Sequence, residues 1–599
     1  MSQTQEQPTA RARMVARVRN KVGTKHGWFG DYDYAWLCTP SLPSGNLRSK
    51  SKQPPFYGLN EEMPLLLAIF TGLQHALAML AGLITPPIIF ASSLSLDAKT
   101  SAYMISASLI GCGILSLVQM SRLKLFRGYY LGTGLISVVG TSFATLSTAD
   151  AIFAAMYADG TCPTSVAADG TVTRLACPDA YGMLLGTSLV CSVLEIGMSF
   201  VPVRVLKRIF PPLVTGTVIL CIGASLIGSS GIPNWGGGSN CESRPTSGFY
   251  QTCPDISAPR PLPWGSPELI GLGFLSFVSI ILTEIFGSPF LKNTSIIIGL
   301  LVGSIVAGAA GYADRSSIDS APAITFLWVH TFKLNVYGPA VLPMLAVYIS
   351  VAMEAIGDIT ASAEVSRQPV DGPVFDSRIQ GGVLSDGLGG LLSALFTVAP
   401  LSVFAQNNGV IALTRTASVA AGRWCCAFLI LFGVLGKVAG ALLAIPNPVL
   451  GGVTTFLFAS VVVSGIRVLG MVRWGRRERF VLAAALSFGF GDLLVPGIFE
   501  HLFDGVKNPN NALEGWFNSL TIILSTPFLS AGIVAAVLNL LLPHDPTEPG
   551  LGAHGDDDAI EPVDEAEVEQ HVVHTASASE TEEKEKEPVG ASHEGEGIE

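Results

Sequence analysis

Long apolar runs separated by short polar segments dominate residues 64–542. Because a helix needs about 20 apolar residues to cross a bilayer, these runs predict transmembrane helices. The pattern predicts an all-α polytopic membrane protein with fourteen spans, of which the third and the tenth are interrupted. The runs lie near 64–86, 101–120, 131–156, 180–201, 211–229, 267–287, 290–311, 340–360, 381–397, 401–414, 424–445, 448–469, 478–496 and 519–542.

Basic residues are concentrated in every second connection between the runs. Since cytoplasmic loops carry an excess of lysine and arginine, this alternation predicts that both termini are cytoplasmic. The chain is then divided into a cytoplasmic arm at 1–63, a membrane domain at 64–543 and a tail at 544–599. The basic connections carry Arg122, Lys124, Arg127, Arg204, Lys207, Arg208, Lys292, Arg367, Arg378, Arg415, Arg423, Arg467, Arg473, Arg476, Arg477 and Arg479.

Composition supports the membrane assignment and changes how the net charge is interpreted. Charged residues make up 14% of the chain, whereas a soluble domain carries about a quarter. The tail at 544–599 holds 18 acidic residues and two lysines, so its charge of −16 leaves the remaining chain at +5 despite a total of −11. We expect the tail to be disordered. No nucleic-acid binding is expected, because the basic residues lie at span ends and form no single patch.

The third and tenth runs are unusual in composition. The third contains YYLGTGLISVVGTSFATL, which is rich in Gly, Ser and Thr, and the tenth contains FAQNNGVIALT, about half a crossing. They lie seven runs apart, as an inverted repeat of seven plus seven spans requires. Interrupted spans at matching places in two halves indicate a central transport site. The alternative is that the small residues only serve helix packing.

Acidic residues within apolar runs need a reason, because charge at membrane depth is costly. Glu354 and Asp358 are spaced i and i+4, so they share one helix face. In a low dielectric they disfavour being ionised together, which suits proton coupling; alternatively, both lie in water at the cytoplasmic end. Asp386 opens the ninth run, either as a helix N-cap or first-turn acid or as a third member of the network.

Other polar residues in the runs are interpreted as structural. His75 in the first run is expected to be a hydrogen-bonded packing residue that supports the site. Glu195, Glu284, Lys437 and Asp492 are explained by helix-end positions or interhelical pairs, and we assign them no chemistry.

The carboxamides of the tenth run indicate a type of ligand. Gln406 offers a donor and an acceptor together, which suits a heterocycle edge that alternates N–H and C=O groups. Glu354 can accept from ring N–H groups. Asn408 and Gly409 suit the break where a half-helix begins and leaves its backbone N–H groups free for a ligand. The pattern favours a planar, lactam-rich substrate; the alternative is a break that only satisfies its own backbone.

The segment QNNGVIALTR resembles the signature of the nucleobase–ascorbate transporter family. Gln406, Asn408, Gly409, Thr414 and Arg415 fit that signature, and its second position can also be counted at Asn407. The QH pair at 74–75, GTSF at 140–143 and DYDY at 31–34 resemble further family motifs. The resemblance covers about residues 25–545 and is strongest to the fungal uric acid–xanthine permeases.

This resemblance implies an architecture and a mechanism. It implies a core domain at about 64–201 and 340–445 and a gate domain at about 211–311 and 448–543. It further implies a homodimer in the plasma membrane that imports uric acid and xanthine by elevator-type proton symport. No cofactor or metal is implied, and H⁺ is the coupling ion.

The resemblance also implies roles for particular residues. Those that contact substrate are Gln406 and Glu354 through their side chains and Phe143 and Ala405 through their backbone. Those that support transport and proton coupling are Asp358, Asp386, Asn407 and His75. Those that tune selectivity are Arg479, Thr526 and Phe528. In the tail, the acidic segment 565–569 and Lys584 or Lys586 are expected to serve endocytosis and ubiquitin attachment.

Several alternatives remain open at this stage. The same fold could carry uracil, hypoxanthine or ascorbate, and a purine sensor without net flux is a different class. An anion exchanger or channel is disfavoured by the acids at the site. An enzyme is not expected, because no zinc-ligand spacing, nucleophile elbow or phosphate loop is present. The pairs Cys162/Cys177 and Cys241/Cys253 are either disulfides or free thiols.

Overall fold

The computed structural model describes residues 22–40, 55–126, 128–166, 172–242, 258–499, 501–503, 505–506 and 511–543. The chain divides into two units, Met1–Leu542 and Pro543–Glu599, and the fold described below is that of the first. Cys253, Lys584, Lys586 and the acidic segment 565–569 lie outside the described residues.

Helices account for most of the described chain. The first half contains α1 Lys25–Phe29, α2 Tyr34–Cys38, α3 Leu65–Ser93, α4 Ala98–Gln119, α5 Phe143–Ala158, α6 Pro178–Met198, α7 Val203–Ile209, α8 Pro212–Leu226, α9 Pro267–Phe286, α10 Pro289–Asn293, α11 Ser295–Ala309 and α12 Ser316–Ser320. The second half contains α13 Val341–Val365, α14 Pro373–Leu395, α15 Gln406–Thr414, α16 Val419–Val434, α17 Gly436–Leu443, α18 Asn447–Leu469, α19 Arg476–Leu494, α20 Asn511–Leu524 and α21 Pro527–Leu541.

Six short strands form three antiparallel pairs. The strands are β1 Leu123–Lys124, β2 Tyr130–Leu131, β3 Val139–Thr141, β4 Thr164–Val166, β5 Val172–Arg174 and β6 Leu401–Val403. β1 pairs with β2 and β4 with β5, both as local hairpins. β3 pairs with β6, which lies in the other half of the chain.

Length and apolar composition identify the helices that can cross a membrane. Within the described ranges seven helices qualify, or nine when each of two sharply bent helix pairs counts as one span. Two shorter apolar helices, α5 and α11, add to them. The chain is therefore a helical membrane protein with several apolar spans, and the number fourteen stays a prediction.

The last predicted run, 519–542, is wrong as a single span. The structure has α20 and α21 there, bent by 88° from one another. Pro527 is the first residue of α21 and Thr526 is its N-cap. Because proline has no N–H to continue a helix, it begins α21 and ends the preceding one. The run 424–445 is likewise divided into α16 and α17, at an angle of 79°.

Asp386 does not open a helix, so the N-cap interpretation is wrong. α14 begins at Pro373, after Gly372 with φ +88°, and Asp386 lies in its fourth turn. Only 1% of the Asp386 surface is exposed. Proline at the first helical position is a favourable start. Pro373 therefore indicates that the helix begins before the apolar run at 381–397.

The long helices pack in two groups. α3 to α6 pack with α13, α14 and α16, whereas α8, α9, α11, α18, α19 and α21 pack with one another. The groups meet where α13 contacts α8 and α21 and where α5 contacts α8.

Part of the N-terminal arm packs against the membrane domain. Tyr32 and Leu37 are buried in a cluster that includes Ile411 of α15. Tyr57 forms a parallel bridge with Thr416, just beyond α15. The arm is therefore fixed to the end of that half-helix.

The loop before α6 contains a disulfide. Cys162 and Cys177 are bonded, with their Cα atoms 5.6 Å apart. The bond closes the loop that carries the β4–β5 hairpin. Of the two possibilities that the sequence left for this pair, a disulfide or free thiols, the structure has the disulfide.

Candidate functional site

The two interrupted segments meet at one place. β3 and β6 run antiparallel, with Gly140 opposite Ser402. α5 begins two residues after β3, at Phe143, and α15 begins three residues after β6, at Gln406. Because the strands are antiparallel, the same strand–helix unit occurs twice in opposite directions, and both helix N-termini flank the crossing. First-turn N–H groups have no partner within a helix, so this crossing offers donors to a ligand from two sides.

The helix break lies slightly before the place predicted from Asn408 and Gly409. α15 begins at Gln406, so both residues are already inside the helix and the break falls at Phe404 and Ala405. The helix ends after Thr414, at Arg415, whose φ of +57° is left-handed.

Aromatic rings fill the crossing. The Phe143 ring stacks on Phe404 with centroids 5.0 Å apart, and Phe458 of α18 contacts Phe143 edge-on at 5.7 Å. Gly140 makes room for them, since a Cβ there would lie 2.7 Å from Phe404 Cε2. Sequence reasoning missed Phe404 and Phe458; the position of Phe404 directly before the amides was an available signal, whereas Phe458 had none.

The three consecutive amides have three different environments. Gln406 is partly exposed and forms no hydrogen bond with the described residues. Asn407 is buried, and its Oδ1 lies 2.9 Å from His75 Nδ1. The Asn408 Oδ1 accepts a bond of 2.7 Å from Ser362 of α13. Only Gln406 is therefore free for a ligand, while the other two connect α15 to α3 and α13.

The first-span motif contributes a second unpaired amide. Gln74, beside His75 on α3, is fully buried, and neither atom of its amide has a hydrogen-bond partner among the described residues. Its sequence motif was noticed, but the amide itself was not among the predicted site residues.

Acidic side chains converge beside the crossing. Glu354 and Asp358 on α13 are partly exposed, and both lie within electrostatic range of Asp386 on α14. Arg467 of α18 is the cation that acts on Asp358. The structure also brings Glu195 of α6 next to Asp386; the sequence analysis assigned this residue no chemistry.

One cavity opens where the two packing groups meet. It lies between α8, α13 and α21. Glu354 and Phe528 line it, together with mainly apolar residues, and Gln406 and Phe143 do not. Of the other predicted selectivity residues, Thr526 is buried at the start of α21. Arg479 is exposed near the start of α19.

Comparison with known proteins identifies the class. A family model described as "Permease family" matches residues 67–498. A purine permease of Emericella nidulans is 52% identical over 89% of this chain and 91% of its own. The uric acid-xanthine permease of the same organism is 50% identical over 90% and 91%. Xanthine permease XanQ of Escherichia coli is 32% identical over 81% and 93%.

Solved structures give a more distant likeness. The inward-facing murine Solute Carrier 26 family member A9 anion transporter aligns with 82% of this chain and 75% of its own, at 12% identity and a TM-score of 0.46.

These matches and the paired broken segments together define a membrane permease. The chain belongs to the nucleobase–ascorbate transporter family.

Proposed function

We propose that this protein is a proton-coupled symporter that imports uric acid and xanthine across the plasma membrane. The observation that carries the proposal is the β3–β6 crossing, where two helix N-termini meet and the Gln406 amide forms no hydrogen bond with the described residues. β6 and α15 both pack against α13, the helix of Glu354 and Asp358. Relatives named purine permease and uric acid-xanthine permease, at about half identity, support the substrate class.

The chemistry of the site fits a lactam-rich ring. The Gln406 amide can donate to one ring atom and accept from the next, and the Glu354 carboxylate can accept from a ring N–H. The first-turn N–H groups at Phe143 and Ala405 can meet ring carbonyls. Phe143 and Phe404 supply apolar faces for a planar ring. An ascorbate or a lipid would leave some of these hydrogen-bonding groups and aromatic faces without a partner.

An acidic cluster with one member, Glu354, in the cavity wall supports coupling to protons. Glu354 lines the cavity and has Asp358 and Asp386 as acidic neighbours. Such a cluster disfavours full ionisation, so it can take up a proton together with a substrate. Asn407 and His75 hold α15 against α3 and would fix the geometry during transport.

The mechanism we propose is an elevator-type movement. The group made of α3–α6 and α13–α16 would be the core and carry the site, and the group made of α8, α9, α11, α18, α19 and α21 would be the gate. The cavity at their boundary supports this division. We further propose fourteen spans as a 7+7 inverted repeat, a homodimer, and both termini in the cytoplasm. The tail would serve ubiquitin-linked endocytosis. The protein would not be an enzyme.

Uptake of radiolabelled xanthine tests the proposal in cells that lack their own purine uptake. Gln406→Ala and Glu354→Gln should each lower uptake by at least about tenfold, because each removes a hydrogen-bonding partner of a buried ligand. Glu284→Gln is the matched control, since this exposed acid on α9 lies outside the site.

Three outcomes would contradict the proposal. Uptake that is unchanged in both variants at equal surface abundance would exclude this site. Xanthine binding without uptake by the wild type would favour a non-transporting sensor, and uptake of uracil, hypoxanthine or ascorbate in place of xanthine would favour another substrate on this fold.

A further inference from the structure

Two buried carboxyl groups face one another away from the cavity. Glu195 on α6 has no exposed surface, and Asp386 on α14 is 1% exposed. The helices are in close contact here, because a Cβ on Gly387 would lie 2.8 Å from the backbone N of Ile196. The carboxyls of Glu195 and Asp386 are direct neighbours across this contact.

Among the described residues, the donors nearest to these carboxyls are the Ser402 hydroxyl and the Val403 backbone N–H of β6. Both approach Asp386 outside hydrogen-bond geometry, and neither approaches Glu195. All four carboxyl oxygens lack a hydrogen-bond partner in this part of the chain. The Ser402 hydroxyl of β6 lies beside Asp386, is buried, and also has no hydrogen-bond partner among these residues. Two carboxyl groups buried side by side without a donor of their own therefore indicate that one of them is protonated.

No cation compensates the pair from the neighbouring elements. α13 presents Glu354, Asp358 and Tyr348, and the Tyr348 hydroxyl is hydrogen-bonded to Ser188 at 2.7 Å. α6 itself adds the thiol of Cys191. α7 also packs against α14, but its Arg204 and Arg208 are exposed. Arg378 and Arg467 act elsewhere. Arg378 of α14 donates to the Thr133 carbonyl oxygen and to Gln368, and Arg467 of α18 acts on Asp358.

Elementary electrostatics makes two bare carboxylates at this position costly, so the resting pair holds a proton and loses it only transiently. An unpaired buried charge costs several kcal/mol, and a second like charge adds repulsion. Two carboxylates also cannot donate to one another. A single proton makes one carboxyl the donor and the other the acceptor, and so removes both costs.

We propose that Glu195 and Asp386 share one proton and that Glu195 is a positioning residue for proton movement through Asp386. The proton leaves by breaking one carboxyl O–H bond and forming another on Asp358 or Glu354, which are partly exposed and pass it to water. The coupling role rests on the proposed function, whereas the shared proton does not. A symporter must release its proton before it returns empty, so this pair would control net uptake.

Purified full-length protein in lipid vesicles tests the role in transport. In Glu195→Gln the amide donates permanently to the Asp386 carboxylate and imitates the protonated pair. Exchange of labelled xanthine between equal concentrations should continue, because the loaded carrier cycles without releasing a proton. Accumulation driven by a proton gradient should fall by at least about tenfold. Glu284→Gln is the control and should leave both activities unchanged.

Infrared spectroscopy of the same protein tests the shared proton without transport. A protonated-carboxyl band at neutral pH should lose intensity in Glu195→Gln and equally in Asp386→Asn, because each change leaves one carboxylate with an amide donor. A band of unchanged intensity in both variants would overturn the proposal. The same holds if Glu195→Gln accumulates xanthine as strongly as the wild type does. The band could also weaken in both variants while the wild type shows no proton-driven uptake. That result would support the shared proton and contradict the proton coupling of the proposed function.

Discussion

At the residue scale, neighbouring amides have different tasks because their neighbours differ. The sequence shows Gln406 and Asn407 as equivalent side chains, but only Asn407 reaches His75 and Met79. His75 was expected to be a hydrogen-bonded packing residue, and in the structure it pairs with Asn407. Those partners lie more than 320 residues away along the chain, so spacing alone could not reveal them.

Asn407 and Gln406 should therefore respond differently to the same change. Asn407→Ala leaves His75 Nδ1 without its partner, and we expect a loss of about 1–3 kcal/mol in the free energy of unfolding. Gln406→Ala should weaken xanthine binding and leave the melting temperature unchanged. Thermal melting and xanthine binding of both purified variants check this; equal melting temperatures for the two variants would contradict it.

Buried acids show a second limit of sequence reasoning at this scale. Glu195 lies in an apolar segment, LVCSVLEIGMSF, and the sequence explained it either by a helix-end position or by an interhelical pair whose partner it could not name. Its significance comes from Asp386, which the sequence placed at a helix start and the structure places in mid-helix. Proximity across two helices is a tertiary property, which hydropathy does not encode.

At the element scale, the sequence marked both interrupted segments but not how they meet. Gly, Ser, Thr and amide residues indicated the breaks at 131–156 and 401–414. The β3–β6 pairing joins Gly140 to Ser402, and strands of three residues give no periodicity from which a register could be predicted. Similarly, hydropathy predicted one span at 519–542, because the bend before Pro527 does not change the apolar character of the run.

Close packing at the crossing predicts that Gly140 tolerates no side chain. Gly140→Ala would place a Cβ 2.6 Å from Leu83 Cδ2 and 2.7 Å from Phe404 Cε2, and overpacking of this kind costs about 1–3 kcal/mol. Gly271→Ala in α9 is the control, because nothing lies within 4 Å of its Cβ position. The melting temperature should fall for Gly140→Ala only; an equal fall in both variants would refute the close fit.

The arm at the end of α15 gives another prediction for this scale. The Tyr32 hydroxyl donates to the Thr414 carbonyl oxygen at 3.2 Å, and burial raises its pKa above the ordinary value, so it stays a donor at neutral pH. Tyr32→Phe should weaken docking of the arm by about 1 kcal/mol, which corresponds to roughly fivefold faster proteolysis.

Thr39→Val provides the comparison for the arm, because the Thr39 hydroxyl donates to the Ala35 carbonyl oxygen within the arm. Limited proteolysis of the purified protein should therefore distinguish the two variants. If Thr39→Val exposes the arm as much as Tyr32→Phe does, the bond to Thr414 does not hold the arm in place.

At the scale of the whole molecule, the sequence was sufficient for the class and insufficient for the architecture. Apolar composition, the QNNGVIALTR signature and the first-span motif led to the family that the comparisons establish. The grouping of helices and the cavity between the groups depend on contacts between helices that are distant in the sequence. The residue pattern of a single helix does not predict such contacts.

The disulfide stabilises the whole fold through the unfolded chain. Cys162 and Cys177 are 15 residues apart, and a loop of that length corresponds to about 3 kcal/mol in the chain-entropy account. The double variant Cys162→Ala/Cys177→Ala should melt at a lower temperature than the wild type. Cys38→Ala, at an exposed free cysteine, should not; a double variant that melts like the wild type would show that the bond adds no stability.

Proton-driven accumulation of xanthine by the purified protein in sealed vesicles tests the central claim most directly. With the interior made alkaline, xanthine should rise above its equilibrium level while the internal pH falls in step, and a protonophore should abolish both changes. Xanthine that only reaches equal concentrations on both sides, with no response to the gradient, would contradict a proton symporter.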